Sequence, residues 1–279
     1  MITTDQLAYI EEHAYIPEHM IHYVTTISQA EGFLFGSYLA YSKKDFLIFV
    51  GYPLKEVFEE KKMEKALNEA RRRFKPKEIS LTAPKIPSSI AGPTQSPPDY
   101  YYRLDLSTLS ISQKLRNMLT RASRELVLEK GQIFNDEHRK MVDNFIQTHP
   151  VDESTRLIFQ RIPNYLSSSP RSLVFNARSK GGELVAFDVV ELGSRHYALY
   201  MFNFTSTALY VPGASDLLLS EVIRQARTEG KRFLNLGLGI NPGVAFFKKK
   251  WGGVIFLPYA FSMYKPASRE VMDSLLQKL

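Results

Sequence analysis

The placement of proline constrains this 279-residue chain more than any other feature. Five of its 15 prolines fall close together, at Pro84, Pro87, Pro93, Pro97 and Pro98. Proline has no amide hydrogen and clashes with the preceding turn, so no helix interior or central strand runs through such a stretch. Residues 84–102 therefore read as a connector between modules of 1–103 and 104–279. At roughly 150 residues per domain, the length suits two.

The same order of elements reads on both sides of the connector. In the first module, aromatic-rich runs at Phe33–Tyr41 and Phe46–Val50 flank the polar Ser42–Asp45, which signals a hairpin. Val57–Phe74 follows with Met63, Ala66, Leu67, Ala70 and Phe74 on one helical stripe, then Glu78–Leu81 as a strand. In the second, Ser112 caps a helix carrying Leu115, Met118, Leu119 and Ala122, and a strand follows around Leu126. His138–Gln147 and Ser154–Leu166 read as helices, and Leu173–Ala177, Leu184–Glu191 and His196–Phe204 as strands. The chain continues as helix Leu217–Ala226, strand Arg232–Leu238, helix Asn241–Lys250, strand Val254–Tyr264 and a helix over the last dozen residues. Before the first hairpin, Thr4 reads as the cap of one helix and Pro17 as the opening of a second. The pattern is α/β (α+β): two tandem modules, each a mixed sheet flanked by helices.

Composition narrows the function classes. Lys+Arg minus Asp+Glu is 36 − 29 = +7, which favours an anionic partner: a nucleotide, tRNA or an acidic lipid surface. The absence of cysteine excludes a disulfide scaffold, a zinc ribbon and thiol catalysis. No apolar run approaches the ~18 residues of a membrane span. The first residues are acidic and lack the basic start of a leader, so the expected location is the cytoplasm.

Asn235–Gly253 is the stretch most pointed toward chemistry. A strand ends on Gly237 and Gly239, passes Asn241-Pro242-Gly243 and enters a helix with Phe246, Phe247 and Trp251. Glycines there let backbone approach a ligand, and the amides of a helix start hold anions. The spacing is not that of a dinucleotide fold, and no acidic residue about 20 positions on is there to take a ribose. A βα turn with glycines for geometry is the plainer reading.

Phe247-Lys248-Lys249-Lys250-Trp251-Gly252, after the strand end Asn235-Leu236-Gly237, resembles the F-K-x-x-[FW]-G segment of Fem-type aminoacyltransferases and related GNAT-fold proteins. Upstream, Tyr210-Val211-Pro212-Gly213-Ala214-Ser215 resembles the acyl-donor loop and helix start of a GNAT module. Ser112–Arg116, with Arg121 and Ala122, is similar to the opening of the C-terminal domain of phosphatidylglycerol lysyltransferase. Gly51-Tyr52-Pro53 resembles that family's G-d-P, with Tyr52 where an acid is usual. The resemblance covers roughly residues 33 to 265. It implies tandem GNAT-like modules that transfer an acyl or aminoacyl group from acyl-CoA or aminoacyl-tRNA to an amine or hydroxyl, without a metal. The donor would be served by Tyr210, Gly213, Ala214, Ser215, Asn235, Gly237, Asn241 and Phe247, with Lys248 stabilising negative charge.

Other readings stand beside these. A lysine within Lys248-Lys249-Lys250 is ordinarily solvated, and Phe247 and Trp251 read as core. Gly213–Ser215 suits either a phosphate cradle or a plain cap, with Ser215 as the capping residue. Asp188, between Phe187 and Val189, is either a buried functional acid or the end of a sheet edge. Glu191, three positions on, points to the opposite face. No general base stands out, and Tyr200, Tyr210, Tyr259 and Tyr264 are each suited to act as an acid, with nothing among 15 tyrosines to choose one. Arg71–Lys77 holds five cations in seven residues and suits tRNA or lipid phosphates, but a helix C-terminus explains it first. Glu18, His19 and His22 have a spacing that chelates zinc, with a surface histidine pair the plainer reading. The alternative to an enzyme is a non-catalytic GNAT-like module that binds RNA or protein through its basic surface. A solvent-open gap between the strands at 196–204 and 232–238 separates the two.

Overall fold

The computed structural model describes residues 1–90, 94–95 and 97–265. The terminal helix expected in the last dozen residues lies outside them. The chain divides into two compact units that interleave in sequence, unlike the consecutive modules read from the prolines. One holds Met1–Ala8, Gln29–Tyr100 and the described residues from Leu257 on, and the other Tyr9–Ser28 and Tyr101–Phe256.

In the first unit, β1 (Glu31–Phe35), β2 (Tyr38–Lys43) and β3 (Phe46–Val50) form an antiparallel meander. The run expected as one strand over Phe33–Tyr41 is two, because Gly36 (φ 59°) turns the chain in a left-handed conformation that favours glycine. Helix α3 (Glu60–Phe74) crosses over and buries Met63, Ala66, Leu67 and Ala70. It delivers β4 (Glu78–Ala83) parallel to β3. Beyond the connector, β12 (Val254–Tyr264) pairs with β4 antiparallel, Ala260 opposite Ala83, and with the short β5 (Thr94–Gln95).

Gly51 explains its own identity. A Cβ there would lie 2.7 Å from both Ala83 Cβ and Met63 Sδ, far inside van der Waals contact. Tyr52 is fully buried and donates to Pro258 O at 2.8 Å. Part of Arg71–Lys77 is likewise absorbed locally. Arg73 lies over the rings of Phe33, Phe35 and Phe74, Lys75 closes α3 in a left-handed conformation, and Lys77 pairs with Asp45.

In the second unit the sheet order is β6-β11-β10-β9-β8-β7. The strands are β6 (Asp99–Asp105), β7 (Leu126–Gly131), β8 (Ser172–Ser179), β9 (Leu184–Glu191), β10 (Tyr197–Thr205) and β11 (Phe233–Leu238). β6 is the strand the proline reading overlooks; its Tyr100-Tyr101-Tyr102 run is β-prone despite following two prolines. β7 to β10 form an antiparallel meander, and α8 (Ala214–Thr228) returns the chain so that β11 lies parallel to β10. On one face α4 (Gln113–Glu125) and α8 pack Leu115, Leu218 and Val222 against Val190 and Leu234, with Trp251 in the same cluster after α9 (Pro242–Lys250). On the other face, α5 (Asp136–Thr148) and α7 (Ile162–Ser168) pack Val142, Ile162 and Tyr165 against Phe187 and Val189. The helix expected over Ser154–Leu166 is two, α6 (Glu153–Gln160) and α7, separated at Arg161 with Pro163 in the first turn of α7.

The N-terminal segment also departs from expectation. α1 (Thr4–His13) is capped by Thr3, not Thr4: Thr3 Oγ1 accepts from Gln6 N and Gln6 Oε1 accepts from Thr3 N. Pro17 opens a short 3₁₀ turn, Pro17–His19, before α2 (Ile21–Ser28), so His19 and His22 do not share a helix. His19 is fully buried, edge-on to Tyr15 at 4.7 Å, which corrects the surface histidine pair. Among the described residues no group of His, Asp or Glu is placed to hold a metal ion, and no helix is long and apolar enough to cross a membrane.

Candidate functional site

Strands β10 and β11 pair over three positions and then part. The pairs are Tyr197 with Phe233, Ala198 with Leu234 and Leu199 with Asn235. Beyond them both strands are bulged on their outer neighbours. β10 shifts register against β9 between Tyr200 and Phe202, and β11 shifts against β6 between Asn235 and Gly237. Bulges bend a strand and raise its twist, which separates the two ends. Asn235 fixes the second bulge. Its Oδ1 accepts from Gly237 N at 2.7 Å while Gly237 takes φ 77°, and its Nδ2 donates to Tyr15 O at 2.7 Å.

The start of α8 sits beside this opening. Gly213 (φ 85°), not Ser215, is the N-cap residue. A larger residue would meet Met118 Cγ of α4 at 3.0 Å, so glycine serves both the turn and the close packing of α4. Ser215 instead donates from Oγ to Asn203 Oδ1 at 3.3 Å. The amides of Ser215 and Asp216 lie in the first turn, where an α-helix offers no carbonyl partner. A recess of about 230 Å³ opens here, lined by Val185, Thr205, Ser206, Tyr210, Val211, Gly213–Asp216 and Phe247. Tyr210 stands at its rim, 74% exposed.

Asp188 lies on central β9, fully buried on the α8 face. Its Oδ1 accepts from Tyr200 Oη at 2.8 Å and from Asn203 Nδ2 at 2.6 Å. Its Oδ2 is buried with no hydrogen-bond partner. Burial pushes the carboxyl up to about 7, against the pull of the two hydrogen bonds. Burial and the neighbouring carboxylates likewise push Tyr200 well above its ordinary value. Ser215, Asn203, Asp188 and Tyr200 thus form one chain from the recess inward. Glu191 faces the other way and accepts from Tyr165 and Ser169.

The three lysines of α9 part company. Lys249 is solvent-exposed. Lys250 pairs with Asp216 at 2.6 Å and lies over the Phe247 ring. Lys248 is 4% exposed and donates to Leu238 O at the end of β11, with its ammonium 5.9 Å from the Tyr102 ring centroid. That placement corrects the expectation of a solvated lysine. Trp251 is core, as expected, and its Nε1 donates to Asp216 Oδ1 at 2.8 Å. Asn241 is exposed and caps α9, accepting from Val244 N at 3.0 Å.

Gly213–Ser215, Tyr210 and Phe247 therefore share the recess, Asp188 lies behind it, and Asn235, Gly237 and Lys248 stand along β11. The sequence reading missed Asn203 and left Tyr200 as one of four tyrosines suited to act as an acid. Asn203 within an aromatic strand was the available signal. Beside the recess, the solvent face of α4 carries Lys114, Arg116, Arg121 and Arg124, and none of the four is in an ion pair among the described residues.

No protein-family model matches this chain, and no curated protein matches it by sequence. Solved structures do match. L-PGS from Bacillus licheniformis superposes with a TM-score of 0.60 at 16% identity over 100% of this chain and 97% of that one. FemX gives 0.62 at 10% identity over 99% of each. A tandem GNAT protein from the clavulanic acid biosynthesis pathway gives 0.50 at 14% identity over 83% of this chain and 79% of that one. At such identities the likeness concerns the fold, and the fold of this chain is a tandem GNAT-like one, with its parallel strands parted in the second unit.

Proposed function

We propose that the chain is an acyl- or aminoacyltransferase whose donor seats in the second unit, at the start of α8. The observation that carries this reading is the parting of β10 and β11 after Leu199 and Asn235, with Lys248 at the end of β11. An acyl carbonyl seated between the parted strands meets a buried ammonium positioned before reaction, where charge stabilisation is strongest. The chain Ser215–Asn203–Asp188 sets the amide of Asn203, which holds the Ser215 hydroxyl at the wall of the recess.

The donor favoured is aminoacyl-tRNA over acyl-CoA. Pro212 has no amide hydrogen, and the first turn of α8 already holds the Asp216 carboxylate, so a pyrophosphate gains little there. The unpaired cations of α4 suit a longer polyanion passing outside the recess. An acidic lipid surface would meet the same cations, but an aminoacyl ester on RNA also supplies the group to be transferred.

The test is binding of a fluorescent aminoacyl-tRNA and of acetyl-CoA across a salt series. The expected result is tRNA binding whose log affinity falls with log salt. Changing Lys114, Arg121 and Arg124 to Gln lowers the slope by about 0.9 for each phosphate left without its cation. Salt-insensitive acetyl-CoA binding reverses the donor assignment. If tRNA binds yet is never deacylated, the non-catalytic RNA-binding reading takes its place.

A further inference from the structure

The geometry points to Glu18, on the face of β11 opposite the donor recess, as the proton acceptor for the incoming nucleophile. This rests on the transferase reading above. With α8 and the donor on one face of the parted strands, the acceptor has the other face from which to reach the same carbonyl.

Three observations place Glu18 there. The segment carrying it is tied at the point of parting, because Asn235 Nδ2 donates to Tyr15 O at 2.7 Å. Its Oε1 accepts from Tyr101 Oη at 2.8 Å. Tyr101 pairs with Leu238, and the Leu238 carbonyl takes the Lys248 ammonium. Neighbours in a strand point to opposite faces, so Tyr102 lies near Lys248 while Tyr101 reaches Glu18. The Lys248 ammonium thus meets Leu238 of β11, and the Glu18 carboxylate meets the hydroxyl of Tyr101, the residue paired with Leu238.

The carboxylate suits the role. Its Oε2 is excluded from solvent, and burial raises its proton affinity while the Tyr101 hydrogen bond lowers it. The titratable groups against it include Tyr101 of β6 and Tyr23 of α2, itself pushed up by burial and by Glu18, with the buried His19 next in the chain. Burying a carboxyl is unfavourable, and groups shifted this way cluster at functional sites. In the step, the acceptor nitrogen or oxygen bonds to the acyl carbon and the bond to the donor's leaving oxygen breaks. Glu18 takes the acceptor's proton and releases it to solvent, from which the leaving oxygen takes one, so protons balance.

The experiment uses the full chain with aminoacyl-tRNA as donor and ethanolamine, which offers an amine and a hydroxyl, as acceptor probe. Turnover by Glu18→Gln is expected to fall about 10²-fold or more with donor affinity unchanged. Glu18→Asp recovers part of it. Tyr101→Phe moves the acidic limb of the pH profile to higher pH, because the hydrogen bond it removes held the carboxyl down. An unmoved limb in Tyr101→Phe, or full turnover in Glu18→Gln, overturns the assignment of Glu18 alone. Wild-type protein that neither binds nor deacylates the donor overturns the transferase reading and this inference together.

Discussion

Each unit contains an antiparallel hairpin, a crossover helix and a parallel strand, yet one is closed and the other open. In the first, β3 and β4 pair over five positions from Phe46 with Glu78 to Val50 with Thr82, and Gly51 N extends the ladder to Thr82 O at 2.7 Å. In the second, β10 and β11 stop after three. The two diverge immediately beyond the last pair. Gly51 has no side chain, so β4 and α3 press against its backbone. At the matching place the second unit has bulges, at Tyr200/Phe202 and Asn235/Gly237, and buries polar groups in place of packed methyls. The same supersecondary string thus makes a core in one place and a cleft in another.

The largest expected effect breaks the open side. Lys248→Met keeps the side-chain length and removes the ammonium held at Leu238 O. Turnover of aminoacyl-tRNA should fall by about 10²–10³-fold, as when one preorganised donor to a developing oxyanion is removed. Single-turnover kinetics read this directly. A loss below about threefold removes Lys248 from the chemistry.

The next effect breaks the closed side. Gly51→Ala places a Cβ 2.7 Å from Ala83 and Met63 and 2.9 Å from the Thr82 carbonyl, so strand and helix must separate. Overpacking of this kind costs about 1–3 kcal/mol. Urea unfolding should show that loss while donor affinity stays at the wild-type value. A variant that is stable but weak in donor binding contradicts the assignment of the donor to the second unit.

The contrast between the units was legible in the sequence only in part. Hydrophobic periodicity marks α3 through Met63, Ala66, Leu67 and Ala70, and the hairpin–helix–strand order was visible in both halves. The parting of β10 and β11 was a question the sequence could pose without answering, because it depends on bulges, and a bulge is a register property of two strands. Lys248 shows the same limit. Three consecutive lysines read alike, and only the folded chain, with Lys248 at the Leu238 carbonyl, shows which one turns inward. β6 was hidden by the prolines before it. Asn203 was hidden, and Tyr200 could not be told from other tyrosines, because their role depends on a partner, Asp188, on another strand.

Asp188 gives the finest test of the comparison. Among the described residues, the carboxyls that burial pushes upward, those of Glu11, Glu18 and Asp188, all lie in the second unit. Asp188 binds its proton up to about pH 7 in the folded chain, while its ordinary value is 3.8. Between those values the folded state holds a proton that the unfolded state has released. The stabilisation is therefore full below about pH 4 and is lost as pH rises through about 7, with a slope of up to about 1.4 kcal/mol per pH unit. Asp188→Asn cannot titrate, so its unfolding free energy should lack this share of the decline between about pH 4 and 7. The new amide places an N–H where Oδ2 has no partner, which costs about 1–3 kcal/mol. That cost is the same at every pH, so it offsets the curve without tilting it, and the slope reports Asp188 alone. Parallel curves for wild type and variant would mean that Asp188 stays charged in the folded chain and that the buried acid behind the recess holds no exchangeable proton near neutrality.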